Sequence, residues 1–105
     1  MVRRKNLDKR LAAEKVDIIF YKVIEKDGKR MLKPLKLDTK VSLGVVRAIA
    51  DDTVVPSFYE TLARNLRERG VEPGSKVQVR AKFSEAHEML DPALKGIRVL
   101  CEVEV

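Results

Sequence analysis

Residues 16–37 read VDIIFYKVIEKDGKRMLKPLKL, and this stretch decides the fold. Its first eleven residues are dense in β-branched and aromatic side chains, which predicts a β-strand. Asp27-Gly28 is a favoured pair for a two-residue hairpin turn that requires positive φ angles. Residues 30–37 then predict a returning strand. Pro34 places that strand at a sheet edge, because proline has no N–H to donate to a neighbouring strand.

A two-residue turn also determines which residues face each other across the hairpin. Counting back from the turn predicts the following cross-strand pairs: Lys26–Lys29, Glu25–Arg30, Ile24–Met31, Val23–Leu32, Lys22–Lys33, Tyr21–Pro34 and Phe20–Leu35. Both faces of this hairpin are partly apolar. We therefore expect helices to cover one face and a second subunit to cover the other.

The centre of the chain predicts two helices. Residues 38–39 offer an N-cap for a helix over residues 41–50, although three valines and a glycine leave a third strand as the alternative. Ser57 and Glu60 have the spacing of a capping box. The apolar stripe that follows predicts a helix that ends at Gly70, because glycine suits the left-handed conformation of a helix terminus.

The last part of the chain predicts a second hairpin. Residues 76–83 and 97–105 alternate apolar and polar side chains, as half-buried strands do. In the second of these strands, the alternation directs Val99 and Cys101 inward and Leu100 outward. The 13 residues between the two strands are long for a hairpin loop, and we expect them to contain a helical turn.

Together these elements predict an α+β domain over residues 16–105, preceded by a basic N-terminal arm over residues 1–15. Two antiparallel hairpins form one four-stranded sheet, two helices pack on one face, and the element order is β-β-α-α-β-β. We also expect a homodimer, in which pairing through a sheet edge or face buries Leu32, Leu37 or Leu100.

Composition argues against several classes of protein. The 105 residues contain no apolar run near the ~20 residues that span a bilayer, and no apolar signal-peptide core follows the N-terminus. We therefore expect a cytoplasmic protein without a membrane partner. Cys101 is the one cysteine of the sequence, which excludes an internal disulfide. Few amides and many mixed charges are typical of proteins from hot environments, so we expect a thermophile source.

Catalytic motifs are missing from the sequence. It has no glycine-rich phosphate loop, no serine-nucleophile motif and no conspicuous carboxylate dyad. A single histidine and a single cysteine also argue against zinc. We therefore expect no enzymatic activity, no catalytic residue, no cofactor and no metal. The alternative is an enzyme with His87 in a pocket beneath residues 84–96.

The net charge of +6 is unevenly distributed along the chain. Residues 1–50 carry a net charge of +8, whereas residues 51–105 carry −2. In the predicted second hairpin, Lys76 lies near Glu104, which balances charge on that outer surface. A basic first half of this kind is typical of a protein that binds a polyanion.

The sequence therefore favours a small nucleic-acid-binding protein that contacts the phosphate backbone. The candidate binding residues lie in the arm and the first hairpin: Arg3, Arg4, Lys5, Lys9, Arg10, Phe20, Lys22, Lys26, Lys29, Arg30, Lys33 and Lys36. The opposed Lys22–Lys33 pair is the most suggestive feature, because like charges across strands repel each other until an anion neutralises them. Phe20 and Tyr21 offer surfaces for base stacking. The alternative is a protein-interaction or assembly subunit whose charge serves solubility and thermostability.

A local resemblance points in the same direction. Residues 70–79, GVEPGSKVQV, follow the second predicted helix and resemble the helix–Gly–x–x–Pro–Gly–strand passage of AbrB-type swapped-hairpin DNA-binding domains. The resemblance covers about a tenth of the chain. It implies a dimeric nucleic-acid binder.

Overall fold

The structure is a computed structural model that describes residues 14–105. Most of the predicted arm, over residues 1–15, therefore lies outside the described residues. In chain order the elements are β1 (Lys15–Lys26), β2 (Lys29–Ser42), α1 (Leu43–Ala50), α2 (Pro56–Glu68), β3 (Lys76–Lys82), α3 (Glu85–Leu90), a 3-10 turn (Pro92–Gly96) and β4 (Cys101–Glu104). None of the helices in the described part of the chain is long and apolar enough to cross a membrane.

β1 and β2 form the predicted hairpin. Asp27 and Gly28 have φ angles of 54° and 75°, as the two-residue turn requires. Every predicted cross-strand pair, from the turn back to Phe20–Leu35, is present. All neighbouring strands are antiparallel in the order β2-β1-β3-β4, so β2 lies at a sheet edge. The predicted α+β class with one four-stranded sheet is confirmed.

A bulge interrupts the ladder between β1 and β2. Ile18 pairs with Thr39 and Phe20 pairs with Leu35, so residues 36–38 face only the single β1 residue between these pairs. Extra residues of this kind bend a strand and increase its twist. Beyond the bulge, β2 continues five residues past its predicted end.

The longer β2 corrects the predicted start of the first helix. Asp38 and Thr39 belong to the strand, and Ser42 is the N-cap of α1. The Ser42 Oγ accepts a hydrogen bond from the Val45 N–H at 3.2 Å. Val41 packs against the core as part of β2, because strand pairing with β1 continues to the end of β2. Residues 43–50 are therefore helical, as the sequence favoured, and the alternative of a third strand is wrong, because residues 41–42 end β2.

α2 begins two residues earlier than the capping-box pattern predicted. Its N-cap is Val55, which makes no side-chain cap hydrogen bond, and Pro56 is its first residue. Proline has a backbone φ suited to the helix and no N–H that needs a partner, so it favours this start. Ser57 then lies inside the first turn, and the predicted capping box of Ser57 and Glu60 is wrong.

The hydrophobic core lies between the sheet and the helices α1 and α2. We call the covered side of the sheet, to which Ile18 and Phe20 point, the core face and the opposite side the outer face. The buried core side chains are Val16, Ile18, Phe20, Leu43, Val46, Ile49, Leu66, Val77, Val79, Leu94, Leu100, Val103 and Val105. Burial of this apolar surface is the main contribution to the stability of the fold.

The last strand is shorter than predicted. β4 begins at Cys101 rather than four residues earlier, and residues 97–100 connect it to the 3-10 turn over Pro92–Gly96. The Leu100 N–H donates to a β3 carbonyl at 2.8 Å. Leu100 is 8% exposed and Val99 is 40% exposed, which reverses the predicted inward and outward positions. Leu100 therefore belongs to the core and is not available for a dimer contact.

The burial of Cys101 predicts a slow-reacting thiol. Cys101 is half-buried against the core, and desolvation raises the pKa of its thiol to about 11. Because the thiolate is the reactive form, we expect the native thiol to react with a chromogenic disulfide reagent, near pH 8, at least about tenfold more slowly than the unfolded chain. Equal native and unfolded rates would contradict this expectation.

The same thiol predicts a loss of stability at alkaline pH. Its pKa in the folded state lies above the ordinary value of 9.0, so the unfolded chain loses this proton first as the pH rises. The contribution to the free energy of unfolding should be constant below about pH 9 and should fall between about pH 9 and 11. Urea denaturation across this range measures the fall, and Cys101→Ala should make it smaller.

Gly70 ends α2 in a conformation that favours glycine. Its φ is 98°, and the Val71 N–H donates to the Leu66 carbonyl at 3.0 Å as the chain leaves the helix. A side chain is strained in this conformation, so Gly70→Ala should lower the free energy of unfolding by about 1–2 kcal/mol in urea denaturation.

Gly96→Ala is the matched control for this substitution. Gly96 ends the 3-10 turn without a positive φ, and a Cβ built there would have no described atom beyond its chain neighbours within 4 Å. Its substitution should change the free energy of unfolding by less than about 0.5 kcal/mol. Equal losses at the two glycines would show that the positive φ of Gly70 is not the cause.

Candidate functional site

The core face of β1 becomes basic beyond Phe20. The alternation that buries Ile18 and Phe20 places Lys22 at the next position of this face, at the margin of the core. Lys33 lies directly opposite Lys22 on β2, as predicted. Two ammonium groups therefore share one face of the hairpin.

The C-terminal end of α2 brings a further cation to this region. Arg69 directly follows α2, and its guanidinium donates to Thr39 Oγ1 at 2.8 Å and to the Asp38 carbonyl at 3.4 Å. These hydrogen bonds join the end of the helix to the bulged part of β2. The guanidinium group is therefore positioned by both elements.

The hairpin and the end of α2 form a cleft of about 240 Å³, which we call the hairpin cleft. Its lining residues are Lys22, Lys33, Leu35, Lys36, Leu37, Arg69, Gly70, Val71 and Glu72. Four of these side chains are cations and one is a carboxylate. The Glu72 carboxylate lies 3.9 Å from Lys22 Nζ, but its side chain is 82% exposed, so this ion pair is weak and an anionic ligand can replace it.

A second concavity, of about 920 Å³, lies at the bulge, and we call it the bulge cleft. Its lining residues are Asp17, Ile18, Ile19, Leu35, Lys36, Leu37, Asp38, Thr39, Lys40 and Lys82. The Asp17 carboxylate lies 3.7 Å from Lys40 Nζ, and Lys82 is the register partner of Asp17 on β3. The two clefts share residues 35–37, which form a wall between them.

The structure brings together only some of the basic residues that the sequence singled out. Five of them, Arg3, Arg4, Lys5, Lys9 and Arg10, lie outside the described residues. Lys22, Lys33 and Lys36 meet in the hairpin cleft. Lys26 and Lys29 flank the turn as an exposed pair and line neither cleft.

Phe20 and Arg30 do not lie where the nucleic-acid-binding hypothesis requires them. Phe20 is 2% exposed within the core, so its ring has no face open to a base. Arg30 forms an ion pair with Glu102 of β4 and does not line either cleft. Tyr21 is half-buried, with the Arg80 guanidinium 5.3 Å from its ring centre. The expectation that Phe20 offers a surface for base stacking is therefore wrong.

Arg69 is the site residue that sequence reasoning missed. Helical spacing alone favours a solvated position for it, like those of Arg64 and Arg67. The local signal is Gly70, which ends the helix and allows the chain to turn back towards the sheet. Its contact residue Thr39 lies thirty positions earlier, so this contact follows only from the packing of α2 on the sheet.

Charges across β3 and β4 are balanced, as the sequence predicted. Lys76 pairs in register with Glu104, and Gln78 pairs with Glu102. Gln78 is buried, and its Oε1 accepts a hydrogen bond from Arg80 Nε. This part of the outer face is therefore a weaker candidate for binding a polyanion than the hairpin cleft.

His87 forms a helix cap in the structure. The His87 N–H donates to Ser84 Oγ at 3.2 Å, and the Ser84 N–H donates to His87 Nδ1 at 3.1 Å, which completes a capping box at the start of α3. The His87 ring is edge-on to Phe83, with 6.5 Å between the centroids. Within residues 14–105, no group of three or more His, Cys, Asp or Glu side chains is arranged to hold a metal ion. The absence of enzymatic activity stays a prediction.

Comparison with known proteins assigns the chain to no family. No family model, no curated protein and no solved structure matches the chain. The resemblance of residues 70–79 to a DNA-binding passage therefore rests on those residues alone. Residues 76–79 of this passage belong to β3, and β3 pairs with β1 and β4 of the same chain.

Proposed function

We propose that the protein binds nucleic acid through its phosphate backbone, with the hairpin cleft as the principal contact. The observation that carries this proposal is that Lys22, Lys33, Lys36 and Arg69 line one cleft against the single carboxylate of Glu72. Three of these cations come from the first hairpin and the fourth from the end of α2. Their convergence from two elements favours a binding site over scattered surface charge.

Phosphate binding would also relieve a repulsion within the free protein. Lys22 and Lys33 are directly opposed, and like charges in this position destabilise a sheet. A phosphate between them replaces this repulsion with attraction. Release of counterions from the nucleic acid adds a further, salt-dependent contribution to the binding free energy.

The proposal retains three expectations from the sequence. The basic residues of the arm, over residues 1–15, add phosphate contacts. A homodimer doubles the number of contacts. Of its remaining apolar candidates, the half-buried Leu32 lies outside both clefts, whereas Leu37 lines them. The cytoplasm is the expected location, because nucleic acids are accessible to a protein there.

A protein-interaction or assembly subunit is the second candidate function. It is favoured by exposed apolar side chains, such as Met89, which is 84% exposed, and Val55. Such side chains suit a protein partner better than a phosphate. Under this candidate, ion pairs such as Arg47 with Asp51 at 3.6 Å and with Asp91 at 3.4 Å serve solubility and thermostability.

Replacing the opposed lysines of the cleft tests the nucleic-acid proposal. Each phosphate contact contributes about 0.7–0.9 to the slope of log affinity against log salt concentration. Lys22→Ala combined with Lys33→Ala should therefore weaken binding and reduce that slope by roughly 1.4–1.8. Fluorescence anisotropy with labelled single- and double-stranded oligonucleotides, from low to physiological salt, measures both quantities.

Lys26→Ala combined with Lys29→Ala is the matched control. It removes the same charge from the other opposed lysine pair of the hairpin, which lines neither cleft. Its effect on the slope should be much smaller. Equal effects of the two double substitutions would contradict a role for the cleft. Binding at low salt no better than to a neutral polymer would contradict nucleic-acid binding altogether.

A further inference from the structure

The hairpin cleft and the bulge cleft are neighbours that share one wall. Leu35, Lys36 and Leu37 line both of them. Three strand residues span only about 10 Å. A ligand that enters both clefts must therefore bend around this wall within a distance of that order.

Double-stranded DNA is too stiff for such a path. Its persistence length is about 150 base pairs, so it bends little over ~10 Å, the length of roughly three base pairs. A single strand is flexible between successive nucleotides and can follow a positively charged groove around a corner. The arrangement of the clefts therefore favours a single strand.

The bulge cleft has the chemistry of a base-binding pocket. Ile19, Leu35 and Leu37 supply half-buried apolar surface. The volume of about 920 Å³ lies within the range of about 300–1,000 Å³ that is common for small-molecule sites. Among residues 14–105, residues 36–38 have no register partner on β1, and the Asp38 carbonyl accepts a hydrogen bond from Arg69. The peptide groups of residues 36 and 37 are therefore our candidates for hydrogen bonds with the edge of a base.

The charges of the two clefts differ in a way that suits the two parts of a nucleotide. The hairpin cleft has four cations and one carboxylate. The bulge cleft has three lysines and two aspartates, and Asp17 lies 3.7 Å from Lys40 Nζ. The hairpin cleft therefore suits a phosphate, and the less cationic bulge cleft suits an uncharged base.

We infer that the nucleic acid is single-stranded and lies across both clefts, a step that rests on the proposed function. Its phosphates contact Lys22, Lys33 and Arg69 in the hairpin cleft and Lys36 on the shared wall. One base leaves the stack and packs against Ile19 in the bulge cleft. The hydrogen-bonding edge of that base is free to contact protein in a single strand, whereas pairing occupies it in a duplex.

Three labelled ligands of equal length test this inference by fluorescence anisotropy. They are a thymidine strand of about twelve nucleotides, a mixed-sequence duplex, and a strand of the same length in which every position is abasic. The abasic strand keeps the phosphates and removes the bases. We expect the thymidine strand to bind at least about fivefold more tightly than either of the others.

Ile19→Ala locates the base contact, with Ile24→Ala as the matched control. Ile19 lines the bulge cleft, whereas Ile24 is also half-buried on β1 but lines neither cleft. Ile19→Ala should weaken binding of the thymidine strand by about threefold or more and leave binding of the abasic strand unchanged. Ile24→Ala should change neither. Thermal denaturation of both variants confirms that they are folded.

The outcomes of these experiments distinguish a failure of this inference from a failure of the proposed function. A duplex that binds as tightly as the thymidine strand would overturn the single-strand inference, and an abasic strand that does so would overturn the base contact. In either case the salt dependence would still support phosphate binding. Equal effects of Ile19→Ala and Ile24→Ala would overturn the assignment of the base to the bulge cleft. Failure of all three ligands to bind above a neutral polymer would overturn the proposed function as well.

Discussion

The positive φ angles of Asp27 and Gly28 are the constraint on which the rest of the structure depends. A two-residue turn fixes the pairing of the two strands, and a shift of one residue would exchange the two faces of each strand. In the observed register, one face of β1 buries Ile18 and Phe20, and the next position of the same face is Lys22. The pairing that builds the core thus also places the opposed lysines at its margin.

The bulge in β2 lies beside both clefts of the candidate site. β2 has three residues, 36–38, where β1 has one, and the surplus bends the strand. Arg69 holds the bent segment through its hydrogen bonds to Thr39 Oγ1 and the Asp38 carbonyl. Both clefts meet at this segment. The irregularity that interrupts strand pairing therefore lies at the wall that the two clefts share.

Local patterns predicted the fold where they depended on a turn or on two-residue alternation. Residues 27–28 predict the hairpin and its register, and the register alone predicts the opposed Lys22 and Lys33. Boundaries were wrong where two elements compete for the same residues, as at Ser42, where strand pairing with β1 continues up to the helix cap. Arg69 was missed because its place in the cleft depends on how α2 packs on the sheet, which no local pattern encodes.

The partners of the cations distinguish a role in stability from a role in binding. Arg47 lies near two carboxylates, those of Asp51 at 3.6 Å and Asp91 at 3.4 Å, as expected of a cation that serves folding. In the described part of the chain, Lys33 and Lys36 have no carboxylate within 4 Å. Lys33 is directly opposite Lys22, and like charges in this position destabilise a sheet. An anionic ligand would remove that destabilisation, and the charge of the hairpin cleft therefore supports the binding role that we propose for it.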